Sequence, residues 1–394
     1  MDFALLGDHA DGVEMAAALS ATGRHRLIVY SGPPGGTDVL KTRGLECRSV
    51  ADLEEVLADP AVAAVIVAGK LSARAAQLRR ALQSERHVLC VYPPDLSPDA
   101  AYEAALIQAD TRHVLLPLLP DALHPAIVRL AEWLRTQRFG CLQLERALVG
   151  PLFTETARKR HGPAFRDWAV LRALGGEVGE VSAFASGEEV IADEPLLLSG
   201  RFERGGLFQA SIIPQQRTPR WRLEVLGAAQ PAELSFPGGG SGPARFTYST
   251  PEGERREESW EPWEPWPELV RVFETAVEAH PRPVRSRVSW QDCVRALELD
   301  DAARRSVERR RASTLEYQEV SEAVGFKGTM TLVGCAMLWG LIVLVIFGAW
   351  YRPALWAIPA LLCGFLVMQL LRWLLPAAPA TPGQGADDSA ALRE

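Results

Sequence analysis

The stretch Asp2-Phe3-Ala4-Leu5-Leu6-Gly7-Asp8-His9-Ala10-Asp11-Gly12 decides the fold. A short apolar run stops at a glycine, and from Val13 the chain continues with helical spacing to residue 21, so strand, tight turn and helix are expected in succession. The rhythm then repeats. Strands expected at 26–30, 62–68, 87–91 and 113–116 alternate with helices expected at 50–58, 72–83, 98–109 and 122–135. Such alternation implies a parallel sheet with helices on both faces. Ser31-Gly32-Pro33-Pro34-Gly35-Gly36 is expected to be a loop.

From Gln143 the pattern changes. After one helix near 167–174, strands are expected at 178–186, 195–202, 206–213, 221–226, 232–236 and 244–249, a mainly antiparallel set. Helices follow at 267–279 and 289–311, and an amphipathic one at 314–324. The fold class is therefore an α/β Rossmann-like domain over 1–120 and an α+β domain over 121–312, with a juxtamembrane helix at 313–328.

Two uncharged apolar runs, 330–350 and 354–371, are each long enough to cross a bilayer of about 30 Å hydrocarbon thickness, and Tyr351-Arg352-Pro353 between them allows only a hairpin. Transmembrane helices are expected at 329–351 and 354–375, with a disordered tail at 376–394. Trp350, Tyr351 and Trp373 fall where interfacial aromatic rings belong. Arg304, Arg305, Arg309, Arg310, Arg311 and Lys327 lie on the body side and only Arg352 in the turn, so the body and both termini are expected in the cytoplasm. The apolar start at 3–6 is too short for a signal peptide.

The net charge of -7 argues against nucleic acid as a partner. Six scattered cysteines without a CxxC pair suggest neither a disulfide framework nor a metal site.

In an open parallel sheet the ligand crevice lies beyond the carboxyl ends of the strands, so the first turn is where a dinucleotide is tested. A working turn has glycine at its second signature position and an acid at the end of the second strand. Here His9 holds that glycine position, Tyr30-Ser31 stand where the acid belongs, and Asp8 and Asp11 put carboxylates where a phosphate would sit. The positions to watch for nucleotide contact are Gly7, Asp8, His9, Gly12, Ser31, Gly69 and Pro93.

Gly7 to Gly12, the segment 52–57 leading into 61–68, His87-Val88-Leu89 with Val91-Tyr92-Pro93, Phe139-Gly140, and 167–175 leading to Glu180-Val181-Ser182-Ala183 together resemble the Gfo/Idh/MocA oxidoreductases over about residues 2–310. The resemblance implies NAD or NADP in the first domain, a sugar or polyol in the second, hydride transfer, and homo-oligomers through the open face of the second sheet. It also implies a Lys of a Glu-Lys-Pro motif and a His one turn before an Asp assisting proton transfer. In this chain the first motif reads Val91-Tyr92-Pro93, which keeps a cis-capable proline and loses the amine; Asp167 matches the Asp, but Ala164 stands where the His would be. Hydride transfer to or from an alcohol without a proton acceptor forfeits about 10² to 10⁴ in rate.

Four residues are candidates to substitute. Lys70 follows a strand on the crevice side; its plainer reading is a solvated residue at a helix start. His161 sits in the basic loop Arg158-Lys159-Arg160-His161-Gly162, with a solvated loop as the alternative. Tyr92 could meet a ligand hydroxyl, although a phenol of pKa about 10 is a poor base. Asp167 also suits a helix N-terminus. Finally, Trp260-Glu261-Pro262-Trp263-Glu264-Pro265-Trp266-Pro267 is expected as a polyproline strap with three rings along one edge, either packed over the second sheet, stacking a sugar, or touching a partner or membrane surface. Two function classes remain: a membrane-anchored oxidoreductase acting on a sugar-like substrate, or a non-catalytic binding or scaffold protein that keeps its fold.

Overall fold

The computed structural model describes residues 1–152, 165–187, 189–191, 193–238, 242–282, 286–310, 313 and 314. The expected membrane hairpin, the tail, His161 and Ala164 lie outside the described residues; among those described, no helix is long and apolar enough to cross a membrane.

The opening stretch folds into β1 (Asp2–Leu6) and α1 (Ala10–Ala21). There follow β2 (Arg26–Ser31), α2 (Gly36–Thr42), β3 (Arg48–Ser49), α3 (Leu53–Ala58), β4 (Ala64–Val67), α4 (Leu71–Gln83), β5 (His87–Val91), α5 (Pro98–Thr111) and β6 (Leu115–Leu118). All six strands are parallel, in the order β3-β2-β1-β4-β5-β6. Strand order reverses between β1 and β4, and there the carboxyl ends open a crevice. Alternate residues of β1 serve two cores: Phe3 and Leu5 join Met15, Leu27 and Ile66, whereas Ala4 and Leu6 join Val65, Val67 and Val88. A strand apolar on both faces is what a sheet covered on both faces requires.

Two corrections belong to this domain. Gly36 does not stay in a loop but opens α2, because the buried Tyr30 ring lies beneath it; a Cβ there would sit 1.8 Å from the Tyr30 hydroxyl oxygen. The helix expected over 122–135 is broken. A 3-10 turn (Pro120–Leu123) ends at His124, whose ring accepts the Ala126 N–H at 3.1 Å and so caps α6 (Pro125–Leu134), and Pro125 takes the first helical position, where no N–H is needed.

The second domain contains β7 (Cys141–Ala147), α7 (Asp167–Gly175), β8 (Val178–Phe184), β9 (Leu196–Phe202), β10 (Leu207–Ile213), β11 (Arg220–Leu226), β12 (Ala232–Phe236), β13 (Ala244–Ser249) and β14 (Arg255–Trp260). After α8 (Pro265–Ala279) and α9 (Trp290–Arg309), β15 (Ser313–Thr314) pairs with β8, so Thr314 is in a strand and not at the start of a helix. The nine strands run β14-β13-β12-β11-β7-β10-β9-β8-β15; β7 and β10 are parallel and the other neighbours antiparallel. Leu142, Leu144, Phe208, Ala210, Leu223 and Val225 face inward, into a core shared with α6, α7 and α9. The opposite face carries Gln143, Glu145, Arg222 and Glu233, in the two-residue alternation of a sheet covered on one side.

The tryptophan strap is the third correction. Trp260 ends β14 and packs toward the second domain's core. Pro265 and Pro267 start α8, a place where proline suits a helix because the first turn's N–H groups are unpaired in any case. Trp263 and Trp266 join the first domain's core with Leu269, Val270 and Phe273 of α8, which packs against α1 and the 3-10 turn in the cluster that also holds Phe3, Leu5 and Met15. The three rings share no edge, and the outer face of the second sheet is not covered by them. Burying Phe273 alone is worth about 1.5–3 kcal/mol, so α8 is a structural part of the first domain.

Candidate functional site

The crevice beyond β1, β4 and β5 is framed by the turn 7–12, the segment 68–70, Tyr92-Pro93, the end of β6, and the start of α7 from the second domain. Gly7 has φ +99°, and a Cβ on it would lie 2.3 Å from the Ala68 carbonyl oxygen; on Gly12 it would lie 2.2 Å from the Ala68 Cβ. Both glycines thus serve the turn and the close approach of α1 to β4 that a dinucleotide fold needs.

The remaining turn residues do not fit a pyrophosphate as they stand. Gly7 N–H donates to Ser31 O at 2.7 Å and His9 N–H to Ala68 O at 3.1 Å, while Gly12 and Val13 N–H both reach His9 O. The Asp11 amide, which points where a phosphate oxygen would lie, donates to His9 Nδ1 at 3.3 Å. The helix start is capped by its own imidazole. Beyond β2, Tyr30 is fully buried, its hydroxyl donates to Pro33 O at 3.1 Å, and burial followed by the Asp8 charge pushes its pKa up to about 12. No acid stands at that strand end to take ribose hydroxyls.

Asp11 is engaged a second time, from the other domain. Arg166, immediately before α7, donates to Asp11 Oδ2 at 2.9 Å, to Asp121 Oδ2 at 3.2 Å and to Leu118 O at 3.4 Å. Burial opposes its charge, but Asp121 and Asp11 outweigh burial and raise its pKa. Arg74, buried on α4, ties the two neighbouring loops: Nε and Nη2 donate to Gly69 O at 3.1 and 3.0 Å, and Nη1 donates to Pro93 O at 2.5 Å. Its surroundings lower its pKa, first through desolvation. A Cβ on Gly69 would meet Gln77 Oε1 at 2.1 Å, so a side chain there requires the Gln77 amide to move.

Tyr92, followed by a cis peptide to Pro93, is buried, and its hydroxyl donates to Asp300 Oδ2 at 3.2 Å. Burial, then the Asp300 charge, raises its pKa well above the ordinary phenol value. Asp300 of α9 also accepts the Trp168 indole N–H at 2.8 Å and the Phe165 N–H at 3.1 Å. Burial pushes its pKa up to about 8 against those hydrogen bonds. Asp167 is deeper in the second domain, where its carboxylate pairs with Arg146 and accepts the Trp221 indole N–H at 2.8 Å. Asp121, His124, Arg146 and Asp167 line one small cavity there, and His124 Nε2 is buried without a partner. Burial, partly offset by Asp121, lowers the His124 pKa to about 4. Lys70 holds the N-cap position of α4 without a side-chain cap hydrogen bond and is exposed, and Asp8 is exposed on the turn.

Of the positions singled out in the sequence, Gly7, Asp8, His9, Gly12, Ser31, Gly69, Lys70, Tyr92 and Pro93 therefore gather at the crevice. Asp167 lies behind its wall, and His161 is not described. Arg74, Arg166 and Asp300 were missed, although each left a signal. Arg74 shares a helical stripe with the buried Leu78 and Leu82. Arg166 puts a cation at a helix N-terminus, against the dipole. Asp300 interrupts the apolar series Cys293, Ala296, Ala303 and Val307 of α9.

No protein-family profile matches the chain, and no curated protein sequence does. Solved structures do. The likeness is one of fold, a parallel Rossmann-like sheet followed by a second mixed sheet, and it is shared with solved two-domain dehydrogenases. Levoglucosan dehydrogenase in complex with NADH and levoglucosan is 15% identical at TM-score 0.67, covering 80% of this chain and 100% of that one. The UDP-N-acetylglucosamine 3-dehydrogenase GnnA from Acidithiobacillus ferrooxidans is 20% identical at TM-score 0.62, over 78% and 98% of the two chains. GenD2 from gentamicin A biosynthesis, in complex with NAD, is 22% identical at TM-score 0.65, over 80% and 97%.

Proposed function

We propose that this chain is a membrane-anchored protein of NAD(P)-dependent sugar-dehydrogenase descent that works as a non-catalytic binding or scaffold module. The observation that carries this reading is the commitment of the acids and of the phenol in and behind the crevice wall. Tyr92 is bound to Asp300, Asp167 to Arg146 and Trp221, and Asp11 and Asp121 to Arg166. A general base must reach the proton it removes, and none of these groups is free to do so. The neighbours' NAD, NADH and sugar ligands make a dinucleotide and a sugar-like molecule the ligands to test first.

Lys70 supports a second reading, a slow oxidoreductase, because it is exposed within the segment 68–70 that frames the crevice. The runs at 330–350 and 354–371 and the basic flank before them support a two-pass anchor with the body and both termini in the cytoplasm. Protease protection in sealed vesicles tests that orientation. Phe184 and Leu197, paired across β8 and β9 on the open sheet face, support homo-oligomers, which sedimentation tests.

The deciding experiment uses the full chain in detergent. Its melting temperature is measured with and without millimolar NAD(H) or NADP(H), and nicotinamide reduction is followed with a panel of sugars and polyols. No turnover is expected. A ligand at 100 times its Kd would stabilise by about 2.7 kcal/mol, which a melt resolves. Turnover abolished by Lys70→Ala would replace this reading with the oxidoreductase one.

A further inference from the structure

At the start of α1, where a Rossmann fold ordinarily receives an anionic ligand, this chain brings its own carboxylate and a counter-ion from the other domain. We propose that Arg166 is an autoinhibitory latch: its ion pairs with Asp11 and Asp121 hold the second domain against the glycine turn and exclude a diphosphate from the α1 N-terminus.

Three observations carry this. First, the latch spans the domains at the one place where the parallel sheet's strand order reverses. Arg166 lies at the head of α7, Asp11 in the first turn of α1, and Asp121 just after β6. Second, Arg166 stands in a row of anchored neighbours. Phe165 N–H is held by Asp300, Asp167 by Arg146 and Trp221, and the Trp168 indole by Asp300. The guanidinium is therefore presented by a fixed segment. Third, the helix-start amide that would bind an anion is occupied by His9 Nδ1, so the turn and the latch close the same space from two sides.

The charges explain why the closed form is preferred. Asp8 and Asp11 would repel a diphosphate, and Arg166 is spent on neutralising Asp11 and Asp121 instead of attracting one. Arg74 is turned onto Gly69 O and Pro93 O. Neutralising Asp11 alone changes this balance: it removes one repelling charge and leaves Arg166 with a single carboxylate partner and free donors facing the turn.

The inference rests on the reading of the chain as a module with a closed nucleotide turn, but the two fail differently. The test titrates the full-length chain in detergent with ADP-ribose by calorimetry. Wild type is expected to give no heat at millimolar ligand. Asp11→Asn is expected to bind at least about tenfold more tightly than wild type, and Asp11→Ser, a second neutral residue suited to a helix start, to do the same. Arg166→Gln, which opens the latch but leaves the Asp11 charge in place, is expected to gain less than Asp11→Asn, and the double variant Asp11→Asn/Arg166→Gln, which removes both latch and charge, is expected to bind more tightly than wild type, with each variant's melt recorded to confirm folding. Binding by wild type, an Asp11→Asn variant no tighter than wild type, or a gain in Arg166→Gln equal to that in Asp11→Asn would each overturn the latch. Sugar oxidation by wild type would instead overturn the non-catalytic reading.

Discussion

The two ends of the parallel sheet treat charge in opposite ways. At the carboxyl end, Arg166 meets Asp11 and Asp121, Arg74 meets two carbonyl groups, and Asp300 collects three donors, so the ionised and polar groups are matched across domains. At the amino end, His87, His113 and His280 form a triangle with ring centroids 5.1–5.2 Å apart, and His280 Nε2 is buried without a partner. Glu85 and Arg86 are the charged groups felt by His113 from the loop before β5. One end sets guanidinium groups against carboxylates and carbonyls inside the fold, and the other clusters imidazoles, two of them with lowered pKa values. The carboxyl end pairs its charges internally, while at the opposite end burial disfavours the charged forms of His87 and His113.

The largest effect is expected behind the matched end. Asp167→Ala strands Arg146 beside an unpaired Trp221 N–H, and losing one partner of a buried pair costs about 3–5 kcal/mol. Urea denaturation measures it. A loss below about 1 kcal/mol, the size of an exposed pair, would break the contrast with surface charges.

A smaller loss is expected at the turn. Gly12→Ala drives a methyl into Ala68 and should cost about 1–3 kcal/mol, whereas Gly35→Ala, with nothing within 4 Å, should be close to neutral in the same assay.

The mildest effects sharpen the comparison through pH. Burial, then His113 and His280, lowers the His87 pKa to about 4, and burial and His280 lower that of His113. The unfolded chain therefore binds more protons below the ordinary imidazole value, and stability present above about pH 6.5 is lost as pH falls through about 4. His280→Phe should flatten that acid limb of the melting curve. Asp300 has the opposite sign: its raised pKa means that the folded state holds a proton the unfolded chain gives up, so its contribution is lost as pH rises through about 8. Asp300→Asn should flatten the alkaline limb. Equal slopes in wild type and variants would remove the titration difference between the two ends.

Much of the framework was legible because backbone periodicity carries it. β8 to β13 fall within a residue or two of the expected strands, since each alternates buried and exposed positions under one covered face. The turn 7–12 was legible because only glycine fits against Ala68. The pairing of charges was not, because Arg166 and Asp11 lie 155 residues apart and Tyr92 and Asp300 lie 208 apart, and no local pattern encodes such partners. The tryptophan strap misled for a related reason. Three prolines suggest an extended chain, yet two of them occupy the first turn of α8, and where each ring packs was decided by α1 and by His124.

The return of α8 to the first domain bears on how the protein is made. All six parallel strands have been synthesised by residue 118, yet the outer side of α1, which lies over Phe3 and Leu5, has no cover from α8 until Phe273 has been synthesised. For more than half of translation the nascent chain carries an open greasy flank, the kind of surface chaperones bind. A gene cut after the sixth strand would therefore express a half-roofed sheet, and domain-swapping libraries for this fold must carry residues 265–279 along with the amino-terminal segment.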